Sequence, residues 1–419
     1  MSKFIINGGK GLVGEIAVSG AKNSALKALA ASLLLDGTTT VTNVPLIEDI
    51  HRLVEIMKDL GVAVRQENTT YTVNSAGLKK SALHPQLHQK LRASIMLVGP
   101  ILHRLGIVDF PLPGGDVIGK RPIDFFLEAF AKFGVRVEQL SDGYKLTAGK
   151  LQGAKIVFPR VSVMGTESVM MFATLVPGTT TILNAAQEPE IFHLAEFLNS
   201  CGASIQGAGT STIVIQGVEK LTAGTFNTLP DRIEAGTFAI MAAATKSSIK
   251  ITGIIPEHLE VFWYLLGKAE VQFTLGHNFV EILPSEQLSA IPKDLVTHEY
   301  PGFPTDLQAP MTVLMTQAMG NSLIHESIYD GRLFYVDALN SMGANILMCD
   351  PHRVLVNGPS KLYGKKIASP DIRAGIALVI AALTAVGTSE IDNIYQIDRG
   401  YGNIEERLQK LGADIKRTE

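Results

Sequence analysis

Cysteine is nearly absent: Cys201 and Cys349 are the only two in 419 residues, and they form no spacing motif. So sparse a pair excludes a disulfide framework and points to a reducing compartment. Charge is also scarce. Charged residues make up 18% of the chain and the net charge is −3, so no surplus of positive charge is available to cover a nucleic acid. Long apolar runs are missing too. The longest, Ala374–Val386, falls well short of the ~20 residues of a membrane span and reads as a buried helix. The opening residues, Met1-Ser2-Lys3-Phe4-Ile5-Ile6-Asn7, hold no apolar stretch of signal-peptide length, so a soluble, cytoplasmic protein is expected. The ten histidines never cluster with Cys or Asp at ligand spacing; His84 and His88 are four apart, but Pro85 lies between them and no acidic partner follows. No metal and no cofactor are expected. Gly8-Gly9-Lys10-Gly11 lacks the strand–GxxxxGK[ST]–helix context of a phosphate loop.

What remains is apolar, at 46%, and long enough for two cores. A helix-end signature recurs six times: Leu60-Gly61-Val62, Phe133-Gly134-Val135, Cys201-Gly202-Ala203, Leu266-Gly267-Lys268, Met342-Gly343-Ala344 and Leu411-Gly412-Ala413. Glycine just past a helix takes the left-handed conformation at little cost, and each copy runs on into a segment of strand periodicity. Upstream of every copy lies an apolar helix: Ser24–Leu35, Arg92–Leu102, Thr166–Leu175, Asp231–Thr245, Asp306–Met319 and Asp371–Val386. The unit is helix–strand–helix–strand–strand, and six such units divide naturally into three plus three. The boundary is expected near Leu229-Pro230-Asp231. Residues 22–229 then form one domain, carrying a loop at 111–122, and residues 1–21 with 230–419 form the other. Chain crossings near 20–22 and 229–231 would make a hinge, and a cleft between hinged domains excludes water well.

Charged residues stand where the apolar helices begin: Lys22-Asn23, Arg92, Asp231-Arg232, Asp306 and Asp371-Ile372-Arg373. Aspartate there has two readings, helix cap or functional acid. Cations at a helix N-terminus are disfavoured, so Lys22, Arg92 and Arg373 call for an anionic ligand, which free N–H groups would also bind. The connector Pro111–Pro122 contains three glycines and three prolines around Asp116, which suits either a surface loop or an active-site lid. Arg399 follows Asp398 and reads at its simplest as one half of an exposed ion pair.

At these residues the chain resembles the UDP-N-acetylglucosamine 1-carboxyvinyltransferase family, from its first strand to Lys416. The motifs are Ser19-Gly20-Ala21-Lys22-Asn23, Leu91-Arg92-Ala93-Ser94, Pro111–Pro122, Glu188-Pro189-Glu190 and Leu229-Pro230-Asp231-Arg232-Ile233-Glu234. Phe303-Pro304-Thr305-Asp306, Asp371-Ile372-Arg373-Ala374 and Ile397-Asp398-Arg399-Gly400-Tyr401 complete the series. The resemblance implies an α/β, two-domain inverted α/β barrel (the enolpyruvyl transferase fold). It also implies transfer of the enolpyruvyl group of phosphoenolpyruvate to UDP-N-acetylglucosamine in peptidoglycan synthesis. By position, Lys22, Arg121 and Arg399 resemble the residues that hold the donor phosphate, with Asn23 beside them, and Arg332 and Arg373 those that hold its carboxylate. Asn23, Arg92, Arg121, Pro122, Ile123, Asp124, Phe125, Arg160, Ser162, Val163, Asp306 and Ile328 match the sugar-nucleotide contacts. Asp306 matches the base for the sugar 3-hydroxyl, Asp371 lies close to the reacting centre, and Asp116 takes the place of the proton donor in the lid.

Two departures stand out. Family members most often carry Cys where this chain has Asp116, which removes the target of thiol-directed inhibitors such as fosfomycin. With Cys201 and Cys349 both read as structural, insensitivity is expected. Met164-Gly165 also replaces a pair whose first member is commonly small. The shikimate-pathway enolpyruvyl transferase is the nearest rival, but its Gly-Thr-Ala-Met-Arg stretch is not matched by Arg92–Leu97, which reads Arg-Ala-Ser-Ile-Met-Leu. An inactive regulatory paralogue is the alternative from another class. The sequence leaves the oligomeric state open.

Overall fold

The computed structural model describes residues 2–114, 118–119 and 122–419. The chain divides into two units. The first runs up to Ser19 and from Pro230 onward, and it includes Ile118 and Gly119; the second holds Gly20 to Gly114 and Pro122 to Leu229. Each unit has its own apolar core. Within the first unit the Gly331 N–H donates to the Ile118 carbonyl at 3.3 Å, so this part of the 111–122 connector groups apart from the rest.

Among the described residues there are six small sheets built to one plan. A strand that follows a buried helix lies inside five of them, namely Thr38–Thr42, Thr179–Leu183, Ser248–Thr252, Gly320–His325 and Thr388–Asp392, and at the edge of the three-stranded sheet, namely Ile107–Pro111. In five sheets it pairs antiparallel with the second strand of the next hairpin, as Thr179–Leu183 does with Thr212–Gln216. In the sixth, Lys3–Asn7 takes that place, between Thr388–Asp392 and Asp414–Thr418. Parallel edge strands close five of the sheets, Val13–Ala17 on Ser248–Thr252 among them. Alternation is plain in Thr38–Thr42, where Thr39 and Val41 are buried and their neighbours are not.

The helices that precede these strands are shorter than their apolar runs, because several begin or end in a 3-10 turn. Lys22–Ala31 passes into Ser32–Leu34, Arg92–Leu97 is itself 3-10 and leads into Val98–Leu105, and Thr305–Leu307 leads into Gln308–Thr316. The others are Val163–Ala173, Arg232–Ala244 and Ile372–Thr384. All are apolar around most of their circumference, so packing on every side holds them rather than one amphipathic stripe. Among the described residues no helix is long and apolar enough to cross a membrane.

The glycine signature needs one correction. Gly61, Gly134, Gly202, Gly343 and Gly412 all have φ between 93 and 105° after their helices. In the fourth copy the helix Glu260–Lys268 runs past Gly267, and the left-handed residue is Glu270, with φ 59°. A carboxylate side chain tolerates that conformation at some cost, so a search for glycine misplaced this helix end by three residues.

Buried charge marks the core of the second unit. Lys27 and Glu167 lie inside it, with Lys27 Nζ 3.3 Å from Glu167 Oε2, yet neither Glu167 oxygen accepts an aligned hydrogen bond. Burial, the largest influence, pushes the Glu167 carboxyl up to about 8 against the pull of Lys27, with Glu190 and Glu188 adding to the rise. Folded protein therefore keeps a proton that the unfolded chain has released above about pH 4.3. Stability must fall as pH rises toward 8 and then level off. Burial lowers His88, to about 4, and also His103, which gives the opposite slope, but only below their ordinary value of 6.5. Between pH 6.5 and 8 wild-type protein should thus lose up to about 1.4 kcal/mol of stability per pH unit through Glu167. Glu167→Gln, permanently neutral, should show a flatter profile in urea unfolding; equal slopes would remove Glu167 as the source.

Candidate active site

In the first unit three buried helices, Arg232–Ala244, Gln308–Thr316 and Ile372–Thr384, pack against one another. Two of them are capped by aspartate. Asp231 Oδ1 accepts from the Ile233 and Glu234 N–H groups at 2.8 and 3.0 Å, and Asp371 Oδ1 from those of Arg373 and Ala374 at the same distances. The cap reading therefore holds for Asp231 and for one oxygen of Asp371. It fails for Asp306, which makes no cap and instead binds two arginines.

Arg332 Nη2 donates to Asp306 Oδ1 at 2.8 Å, and Arg373 Nη2 donates to Asp306 Oδ2 at 2.9 Å. Both guanidiniums are buried, while about a quarter of the Asp306 side chain meets solvent. Arg373 Nη1 donates on to the Tyr401 hydroxyl at 3.0 Å, which lies 2.9 Å from Thr237 Oγ1. Burial is the largest influence on each arginine and would lower its pKa, but the Asp306 charge leads a group that outweighs it, so both are held above the ordinary value. Arg332 Nη1 donates to Thr305 Oγ1 at 2.7 Å. The structure thus brings Asp306, Arg332 and Arg373 together, along with Thr305 and Tyr401, which lie in the same quoted motifs but had no role assigned.

Arg399 is not half of an exposed ion pair. It is buried, and its Nη1 donates to Gln396 Oε1 at 2.9 Å. The neighbouring acid, Asp398, instead takes both Arg417 Nη groups at 2.7 and 2.8 Å. Ile328 lies half-buried in the loop after Gly320–His325, its N–H donating to a Glu326 oxygen at 2.9 Å.

In the second unit Lys22 and Asn23 open the helix Lys22–Ala31, and Lys22 Nζ pairs with Asp49 at 3.1 Å. Nothing in the sequence marked Asp49, an acid in the first turn of Glu48–Asp59. Arg92 begins its 3-10 helix, as expected, four residues after the buried His88, whose Nδ1 lies 2.7 Å from Ser94 Oγ. Ser162 caps Val163–Ala173 by accepting from the Gly165 N–H at 3.1 Å, and a Cβ on Gly165 would lie only 2.9 Å from that same Oγ. Glycine therefore fits the cap, whatever precedes it, and Met164 packs half-buried against the core. The Arg160 guanidinium sits 4.9 Å from the centroid of the Phe125 ring, a cation–π contact beside Pro122, Ile123 and Asp124. Asp116 and Arg121 lie outside the described residues. Cys349, expected to be structural, is exposed on the edge strand Ile346–Asp350, whereas Cys201 is buried.

A family model described as EPSP synthase (3-phosphoshikimate 1-carboxyvinyltransferase) matches residues 6–408. A Desulfosudis oleivorans protein named UDP-N-acetylglucosamine 1-carboxyvinyltransferase is 42% identical over 419 residues, covering all of both chains. The chain belongs to the UDP-N-acetylglucosamine 1-carboxyvinyltransferase family. A Carboxydothermus hydrogenoformans member, numbered 1 in its name, is 43% identical over 418 residues, covering all of this chain and 99% of its own. Among solved structures, the enolpyruvyl transferase NikO from Streptomyces tendae superimposes with a TM-score of 0.88 at 25% identity, covering all of this chain and 99% of its own. EPSP synthase from Acinetobacter baumannii, at a TM-score of 0.76 and 19% identity over the whole of both chains, shares the fold.

Asp306→Asn tests the arginine clamp. The amide keeps the shape but leaves two buried guanidiniums without their counter-charge, which costs on the order of 3 kcal/mol when such a pair is broken, less for a partly solvated acid. Thermal unfolding should show a clear drop in Tm; an unchanged Tm means that the clamp adds nothing net.

Proposed function

We propose that this enzyme transfers the enolpyruvyl group of phosphoenolpyruvate to the 3-hydroxyl of UDP-N-acetylglucosamine, releasing phosphate, as the first committed step of peptidoglycan synthesis in the cytoplasm. The observation that carries the proposal is the likeness, over the full chain and at 39–43% identity, to five proteins that bear that enzyme's name. The recurring sheet plan supports the finer description of the fold, an inverted α/β barrel in each of two domains with six helix–strand–helix–strand–strand repeats, hinged near 20–22 and 229–231.

In this reading Lys22, Asn23, Arg121 and Arg399 hold the donor phosphate, and Arg332 and Arg373 its carboxylate. Arg92, Pro122, Ile123, Asp124, Phe125, Arg160, Ser162, Val163 and Ile328 contact the sugar nucleotide. Asp306 takes the hydroxyl proton as the oxygen bonds to the donor's central carbon and Asp116 protonates the methylene carbon; the methyl group so formed then gives up a proton as phosphate leaves and the double bond reforms, with Asp371 close by. A carboxylate held by two guanidiniums is a poor base. Transfer of Arg332 and Arg373 to a donor carboxylate releases Asp306 for its role, which ties the resting geometry to the chemistry.

Phosphate release with phosphoenolpyruvate tests the acceptor. Turnover with UDP-N-acetylglucosamine and none with 3-phosphoshikimate is expected; the reverse assigns the shikimate-pathway reaction, and turnover of neither favours an inactive paralogue.

Asp116 yields a chemical prediction. An epoxide such as fosfomycin is opened by a thiolate far more readily than by a carboxylate. Wild-type protein should gain no adduct at position 116, and Asp116→Cys should gain one. Because Cys349 is exposed, the adduct must be mapped by peptide mass spectrometry; labelling of wild-type Asp116 would refute the argument.

A further inference from the structure

Glu326 follows the strand Gly320–His325 and is 0% exposed, so its carboxylate has to be satisfied by protein donors. Four supply it. Oε1 accepts from Thr297 Oγ1 at 3.0 Å and from the Ile328 and Tyr329 N–H groups at 2.9 and 3.2 Å, and Oε2 accepts from Thr305 Oγ1 at 2.8 Å. The two backbone bonds turn the chain back at 326–329 and so set the height at which Ile328 leaves the sheet.

The hydroxyl bond has a direction. An ionised carboxylate only accepts, so Thr305 must point its single proton at Glu326 and present lone pairs elsewhere. One lone pair accepts from Arg332 Nη1 at 2.7 Å, and the same guanidinium then places Nη2 on Asp306 at 2.8 Å. Glu326 thus polarises a relay, Glu326–Thr305–Arg332–Asp306, that ends on the group the proposed reaction uses as its base.

We infer that Glu326 is a positioning residue of the transfer reaction: through Thr305 it aims Arg332, and through the Ile328 and Tyr329 amides it shapes the loop that meets the acceptor. This rests on the enolpyruvyl transfer proposed above. Its two arms separate kinetically, because the Thr305 arm acts on the reacting groups and the amide arm on acceptor binding.

The test is steady-state kinetics of Thr305→Val, Thr305→Ser and Glu326→Gln, with folding checked by near-ultraviolet circular dichroism. Thr305→Val keeps the shape but deletes the relay, and kcat should fall roughly tenfold to hundredfold with little change in acceptor KM. Thr305→Ser restores a hydroxyl and should return kcat to within about twofold of wild type. Glu326→Gln cannot accept at every one of the four contacts and should raise acceptor KM as well as lower kcat. A folded Thr305→Val protein with wild-type kcat overturns the inference, and so does Thr305→Ser failing as badly as Thr305→Val, which would make packing the cause. Should Glu326→Gln fail to fold, the two Thr305 variants still decide. The wild-type control reads the acceptor separately: if 3-phosphoshikimate proves to be the acceptor, the same ratios are measured on it, whereas a wild type that turns over neither acceptor removes this inference along with the reaction.

Discussion

A helix packed on every side meets its surroundings only through its ends, and its first N–H groups have no partner within the helix. That constraint governs the first unit. Arg232–Ala244, Gln308–Thr316 and Ile372–Thr384 are buried along almost their whole length, so their starts need acceptors. Asp231 and Asp371 meet the need directly, each contributing about 1 kcal/mol as a cap. The third helix begins in the 3-10 turn Thr305–Leu307, and this leaves the Asp306 carboxylate available to something else. Arg332 and Arg373 occupy it. Positive charge beside helix N-termini is unfavourable until an anion is added, and Asp306 is that anion in the structure.

The second unit buries charge differently. Lys27 and Glu167 approach to 3.3 Å but without an aligned hydrogen bond, and Glu167 retains a proton to about pH 8. Asp306 has two guanidinium hydrogen bonds of 2.8 and 2.9 Å. The difference lies in geometry. Arginine offers a planar fork of fixed donors that suits a carboxylate, whereas lysine offers one compact, strongly hydrated ammonium that loses more on burial. The arginine fork therefore meets its acid with two aligned hydrogen bonds, whereas burial beside a lysine leaves Glu167 holding a proton instead.

Much of the architecture was legible because it rests on short-range backbone rules. A glycine closes five of the six amphipathic helices with φ near 100°, and the spacing of those glycines divides the chain into similar units. Glu270 escaped because a left-handed position does not require glycine; it only favours it. Asp231 and Asp306 had the same reading in sequence, and only the position of the Arg332 and Arg373 side chains separates cap from clamp. Arg332 follows a loop, 26 residues after its partner, with no periodicity to announce it. Glu326 was invisible for a similar reason, since its four donors come from three separate segments. Arg399 misled through its neighbour: Asp398 suggested a local pair, yet its partner is Arg417 on the final strand. Cys349 lies in an edge strand whose alternation fails, since Leu347 and Met348 are exposed with it, and the ladder shifts register between Met348 and Asp350.

The clamp on Asp306 also bears on why a reaction of this class can be ordered. A carboxylate between two guanidiniums is stabilised as the anion, which opposes its taking a proton from an acceptor hydroxyl. The guanidiniums leave only for a ligand of equal charge and matching planar geometry, and a carboxylate is the natural one. Under the proposed reaction, the donor brings that carboxylate. In that reading, the pull on Asp306 depends on which anion the two guanidiniums face. Tyr401 and Thr305 complete the logic, because each holds the far side of one guanidinium in place, at 3.0 and 2.7 Å, whichever anion the near side faces. An exchange of partners on a fixed frame needs little reorganisation, and that is the condition under which electrostatic preorganisation lowers a barrier.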